Sequence, residues 1–155
     1  MIGKGWDSMQ KELRTNIKKK IVFIVELSST KGYYPLERAS ILAKHLNSEE
    51  DVTVLLKNAG DEAIQLFTDA QLSPILYDHF EELINQLESL KPDLVIVDGK
   101  DSFKEQVESI RPLCKTLVHF DDFGEGAELA DCNIISLIEE VRENTAQNIL
   151  SGSYA

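Results

Sequence analysis

The chain has 155 residues, enough for one domain with a real core, and 43% of them are apolar, an ordinary globular share. A net charge of −11 excludes nucleic acid as the main partner, because phosphate binding needs a basic face. The longest apolar runs, Ile21 to Val25 and Leu94 to Val97, are far too short to cross a bilayer, so no membrane span is expected.

Residues 1–19 carry charges throughout and few apolar anchors, which predicts a leader or linker rather than a secretory signal. The domain proper is expected over residues 20–143. Ile21 to Leu27 reads as a buried strand, β-branched and uncharged until Glu26. A loop from Ser28 to Tyr34 leads to Pro35, suited to the first turn of a helix. In that helix Leu36, Ala39, Ile41, Leu42, Ala43 and Leu46 mark an apolar stripe ending near Asn47. Val52 to Leu56 is a second strand, and Asn58-Ala59-Gly60 a turn. Asp61 to Ala70 is helical, with Ala63, Ile64, Leu66 and Phe67 inward, and a short strand falls at Ile75 to Tyr77.

Phe80 to Leu90 makes another helix, with Leu83, Ile84 and Leu87 inward and Pro92 as its stop. Leu94 to Val97 is a strand ending at Asp98-Gly99, and a helix is expected over about Ser102 to Pro112. Thr116 to Phe120 is a strand ending at Asp121-Asp122, and Asn133 to Ser136 a last short one. Residues 144–155 are polar and small-residue-rich and read as an interdomain link or a chain cut short. Strands alternating with helices at this spacing predict a doubly wound, mostly parallel Rossmann-like α/β sheet with helices on both faces. Cys114 and Cys132 lack metal-like spacing and are expected to be reduced packing residues, which fits a cytoplasmic compartment.

Open α/β sheets bind ligands beyond the carboxyl ends of their strands, so chemistry is expected in the loops after Leu27, Val97 and Phe120. The first loop offers Ser29, Gly32, Tyr33 and Tyr34, with Arg38 expected in the first turn of the following helix. A cation there opposes the helix dipole, which suggests either anion binding or pairing with Glu37 or Glu26. Asp98 closes a parallel strand, a common position for a sugar-hydroxyl or metal contact and just as commonly for a helix cap, and Asp101 could cap the helix that follows. Adjacent residues of a strand point to opposite faces, so only one of Asp121 and Asp122 can face a given pocket. Asp122, at the turn, is expected to contact ligand, Asp121 to act as a hydrogen-bond anchor, and His119 to be a packed histidine with its hydrogen bonds satisfied. No Ser-His-Asp, Cys-His or metal-ligand spacing is present, so the residues themselves identify no catalytic group, metal site or cofactor.

Four segments together resemble a known family. They are Glu37-Arg38-Ala39-Ser40-Ile41-Leu42-Ala43, Pro92 to Asp98, Leu117 to Asp122 with Ala130 to Ile135, and Leu150-Ser151-Gly152-Ser153-Tyr154-Ala155. The pattern is similar to the N-terminal half of two-domain GT-B-type proteins that include spore-coat polysaccharide glycosyltransferases and pseudaminic-acid-pathway UDP-sugar hydrolases. The resemblance implies one half of a GT-B architecture: an acceptor-side domain that takes a nucleotide sugar or sugar acceptor, partnered by a C-terminal domain of the same protein. It also implies metal-independent chemistry and a domain inactive on its own. The family's first loop reads G-x-G-H-x-x-R, where this chain has Gly32-Tyr33-Tyr34-Pro35 before Arg38. The glycine and the arginine match, whereas the histidine that serves hydrolysis is replaced. The alternative function is a non-catalytic binding module or a receiver-like one, in which Asp98 would take the phospho-acceptor place.

Overall fold

The structure, a computed structural model, describes residues 17–27, 31–57 and 59–136, together with the backbone of 147–150. The elements run β1 (Lys20–Glu26), α1 (Tyr34–Asn47), β2 (Asp51–Lys57), α2 (Asp61–Asp69), β3 (Ile75–Tyr77), α3 (Phe80–Leu90), β4 (Leu94–Asp98), α4 (Lys104–Ile110), β5 (Thr116–Phe120), β6 (Cys132–Ile135) and β7 (Gln147–Leu150). Two short 3₁₀ turns, Arg111–Leu113 and Glu125–Leu129, complete the set. The strands form one sheet in the order β3-β2-β1-β4-β5-β6-β7. Every pairing is parallel.

The alternation of β1 explains the layering. Ile21, Phe23 and Val25 pack with Leu36, Ala39 and Ala43 of α1 and Ala63 and Phe67 of α2. Val22 and Ile24 point the other way, to Leu83 and Leu87 of α3 and Val107 and Ile110 of α4. A strand covered on both faces has no position for a polar residue, which is why β1 is an unbroken apolar run. The result is the doubly wound α/β sheet expected from the sequence.

Several local expectations are corrected. Ile41 is 69% exposed rather than inward, since the buried stripe of α1 runs through Leu36, Ala39, Ser40 and Ala43. The helix expected over Ser102 to Pro112 is shorter: α4 starts at Lys104 and gives way to the 3₁₀ turn at Arg111, where Pro112 lacks the N–H that an α-helix would use. Asp101 does not cap it. The residue before α4 is Phe103, and Asp101 instead accepts from the Phe123 N–H at 3.0 Å. α3 ends at Leu90 on Lys91, which takes the left-handed conformation one residue before Pro92. Cys114 and Cys132 are free thiols but only half-buried. β7 lies in the stretch read as a link. The turn residue Asn58, most of the expected leader and the closing Ser151 to Ala155 lie outside the described residues.

The order 3-2-1-4 places β1 between β2 and β4, so successive crossovers leave the sheet in opposite directions from β1. The crevice at such a switch point, beyond the ends of β1 and β4, is where this architecture binds ligands.

Candidate functional site

Arg38 rises from the second turn of α1 rather than the first, because the helix already opens at Tyr34. Its guanidinium crosses the switch point and forks onto Asp98, with Nε donating to Oδ2 and Nη2 to Oδ1, both at 2.7 Å. Nη1 donates to Asp121 Oδ2 at 2.7 Å and to Ser136 Oγ at 2.5 Å. The pairing with Glu37 or Glu26 considered from the sequence is thus replaced by two distant aspartates. The guanidinium carbon also lies 4.3 Å from the Phe120 ring centroid and 4.8 Å from that of Tyr34, within cation–π range.

Each partner is delivered by the end of a strand. Asp98 closes β4 on the same face as Ile96, toward α1, and its side chain is 1% exposed. Asp121 follows β5 with φ of 45°, a left-handed conformation that aspartate tolerates better than most residues. That turn separates the two acids, as the alternation argument required. Asp121 faces Arg38 and accepts the Ser136 N–H and hydroxyl, both at 2.5 Å. Asp122 goes to the opposite side of the sheet, where Ser102 N–H donates to it at 2.8 Å and Gly124 N–H at 2.9 Å. Both of these reach Oδ1, while Oδ2 is held by the Ser102 hydroxyl and His119 Nδ1, so both oxygens of Asp122 are engaged by the protein.

Lys31 seals the loop side of the cluster. Its ammonium donates to the Gly99 carbonyl at 2.9 Å and to the Asp121 carbonyl, and pairs with Asp101 at 3.2 Å. Electrostatics follow from burial and pairing. Burial alone would lower Arg38, but the hydrogen bonds and charges of Asp98 and Asp121 outweigh it and raise its pKa. Burial pushes the Asp98 carboxyl up, with Arg38 pulling against it. Arginine does not deprotonate in proteins, so the cluster keeps its cation at any working pH.

Of the residues singled out in the sequence, Arg38, Asp98 and Tyr34 come together at the crevice. Tyr33, 53% exposed, lies beside them on the loop with its hydroxyl 3.4 Å from Glu62. Gly32 holds φ of 60° in the same loop, and Ser29 lies outside the described residues. Asp122 is not at this crevice. Sequence reading missed Ser136 and Lys31 as members of the site. Ser136 directly follows β6, so applying the strand-end rule to every strand would have found it. Among the described residues no group of three or more His, Cys, Asp or Glu could hold a metal ion, and no helix is long and apolar enough to cross a membrane. No protein-family model and no curated protein matches this chain.

Proposed function

We propose that this chain is the acceptor-side, Rossmann-like half of a protein that handles nucleotide sugars in surface or spore-coat polysaccharide synthesis, with a hydroxyl-rich ligand lying over the Arg38 cluster. The observation that supports it is the buried cluster itself: Arg38, Asp98 and Asp121 stand at the edge where this architecture binds ligands. A buried ion cluster is a poor stabilising device, since apolar residues of similar volume often serve stability as well. Such a cluster at the carboxyl edge of a parallel sheet is better explained as shaping a binding surface.

Charge narrows the ligand. Arg38 and Lys31 face three carboxylates, Asp98, Asp121 and Asp101, so the crevice carries about one excess negative charge and suits sugar hydroxyls more than a free diphosphate. Tyr33 and Tyr34, both exposed, offer ring faces for the apolar side of a sugar. Among the described residues the cluster's carboxylates and its Ser136 hydroxyl are all taken up by hydrogen bonds, and Pro35 fills the place of the family's histidine, buried in the first turn of α1. This half therefore binds, and catalysis in the full protein would need a second domain. A receiver-like role is less favoured, because both oxygens of Asp98 are held by Arg38.

Titration calorimetry with UDP- and CMP-sugars and with the corresponding free sugars tests this reading. We expect heats from a sugar-bearing ligand, and a loss of roughly tenfold in affinity, about 1.4 kcal/mol, on Tyr34→Ala. Absence of binding to every one of these ligands would refute it.

A further inference from the structure

The face of the sheet opposite the Arg38 cluster carries polar side chains that the proposed function does not use. His119 points from β5 between α3 and α4 and is 1% exposed. Its Nδ1 lies 2.5 Å from Asp122 Oδ2. Asp122 is fixed in turn by the Ser102 hydroxyl and by the backbone N–H groups of Ser102 and Gly124. Burial would raise the Asp122 carboxyl, but His119 and Ser102 overcome it and pull it down to about 2. Asp122 Oδ2 also accepts from the Ser102 hydroxyl, so the carboxylate is the acceptor in this contact and Nδ1 the donor.

In the neutral ring this arrangement leaves Nε2 as a bare acceptor. It is the one buried side-chain polar atom among the described residues without a hydrogen-bond partner. Leaving such an atom unmatched costs about 1–3 kcal/mol. The ring lines a cavity of about 50 Å³ together with Tyr77, Ser102, Gln106, Glu26, Lys57 and Lys100. That is room for roughly three or four waters, or for a molecule of a few heavy atoms, and far too little for a nucleotide. Lys57 and Lys100 share a single carboxylate, Glu26, at 3.0 and 3.5 Å, so this side of the cavity carries one excess positive charge.

We propose that this cavity is a second binding site, for a small anion that carries a hydroxyl group, distinct from the sugar crevice. The hydroxyl donates to His119 Nε2, and the anionic end lies against Lys57 and Lys100. An apolar guest would leave Nε2 unmatched, and an anion without a donor would place its own lone pairs against that of the ring. The site does not depend on the sugar reading, since it shares none of the Arg38 cluster.

Nitrogen-15 NMR of the imidazole of His119 in the whole chain tests the proposal, with inorganic phosphate, glycolate and acetate as probes. Hydrogenphosphate and glycolate each carry a hydroxyl and a negative charge, whereas acetate lacks the hydroxyl. We expect saturable movement of the Nε2 resonance with phosphate and glycolate, and binding of acetate weaker by roughly tenfold. The double variant Lys57→Ala, Lys100→Ala, altered only at partly exposed side chains, should weaken phosphate by a similar factor while the Nδ1 resonance of the free protein stays in place. No saturable response at tens of millimolar phosphate, an equal response to acetate and glycolate, or a phosphate response unaltered in the double variant would each overturn the proposal.

Discussion

At Arg38, two carboxylates, a serine hydroxyl and two aromatic rings converge on one guanidinium. Removing it leaves Asp98 and Asp121 buried without their cation, so Arg38→Ala should destabilise the fold by about 3–5 kcal/mol, read as a lower urea midpoint. Arg38→Lys keeps the charge but loses the two-pronged contact with Asp98, and should recover only part of that loss. A cost under about 1 kcal/mol for the alanine variant would mean that the cluster does not hold the ends of β4 and β5. Arg38 stood out in the sequence because a cation near a helix start needs a reason. Asp98 and Asp121 stood out too, but not as its partners, because they lie 60 and 83 residues away and only the parallel sheet brings them near.

The Asp122 carboxyl makes a prediction of its own. Its pKa falls to about 2 in the fold, against an ordinary value of about 3.9 in the unfolded chain. Its contribution is present above about pH 4 and lost as the pH falls toward 2, amounting to about 2–3 kcal/mol. Urea unfolding across that range should show this fall in the native protein, and a flatter profile in Asp122→Asn. Equal slopes in the two proteins would contradict the assignment. That Asp121 and Asp122 would part to opposite faces was legible from strand alternation. So was the part of Asp121 as a hydrogen-bond anchor; that of Asp122 was not, since it is taken up by Ser102 and His119, whose nearness depends on how the loop before α4 packs.

Among the elements, the strands were the most legible part of the chain, because burial on both faces makes β1 and β4 continuous apolar runs. Helix ends were less so. α4 has few apolar residues, and its last turn tightens at Pro112 for want of an N–H donor. The stripe of α1 misled at Ile41, where an apolar residue sits on the solvent side and Ser40 is buried instead, with its hydroxyl donating to the Glu37 carbonyl at 2.8 Å. Two loops depend on glycine. Gly32 takes φ of 60° in open space, so Gly32→Ala should cost about 1–2 kcal/mol through backbone strain alone. At Gly124 a side chain would collide with the backbone of Ser102, which itself binds Asp122. Gly124→Ala should therefore cost at least about 1–3 kcal/mol and disturb the His119 resonances, which Gly32→Ala should leave alone. A reversed pattern between the two variants would argue against this division of the loops.

For the whole molecule, the strand order β3-β2-β1-β4-β5-β6-β7 decides where chemistry can collect. The loops after β1, β4 and β5 were singled out in advance because ligands gather at the carboxyl edge of such sheets, and three of them meet at Arg38. What the alternation of helices and strands does not give is the order itself, so the switch point could not be read from it. The central claim is that the Arg38 crevice takes a sugar-bearing ligand. The most direct test is chemical-shift mapping of the ¹⁵N-labelled chain with the same nucleotide sugars and free sugars. Perturbed amides should cluster at Tyr33, Tyr34, Gly99 and Asp121, around the ends of β1, β4 and β5. Perturbations confined to the opposite, amino edge of the sheet, or none with any of these ligands, would contradict it.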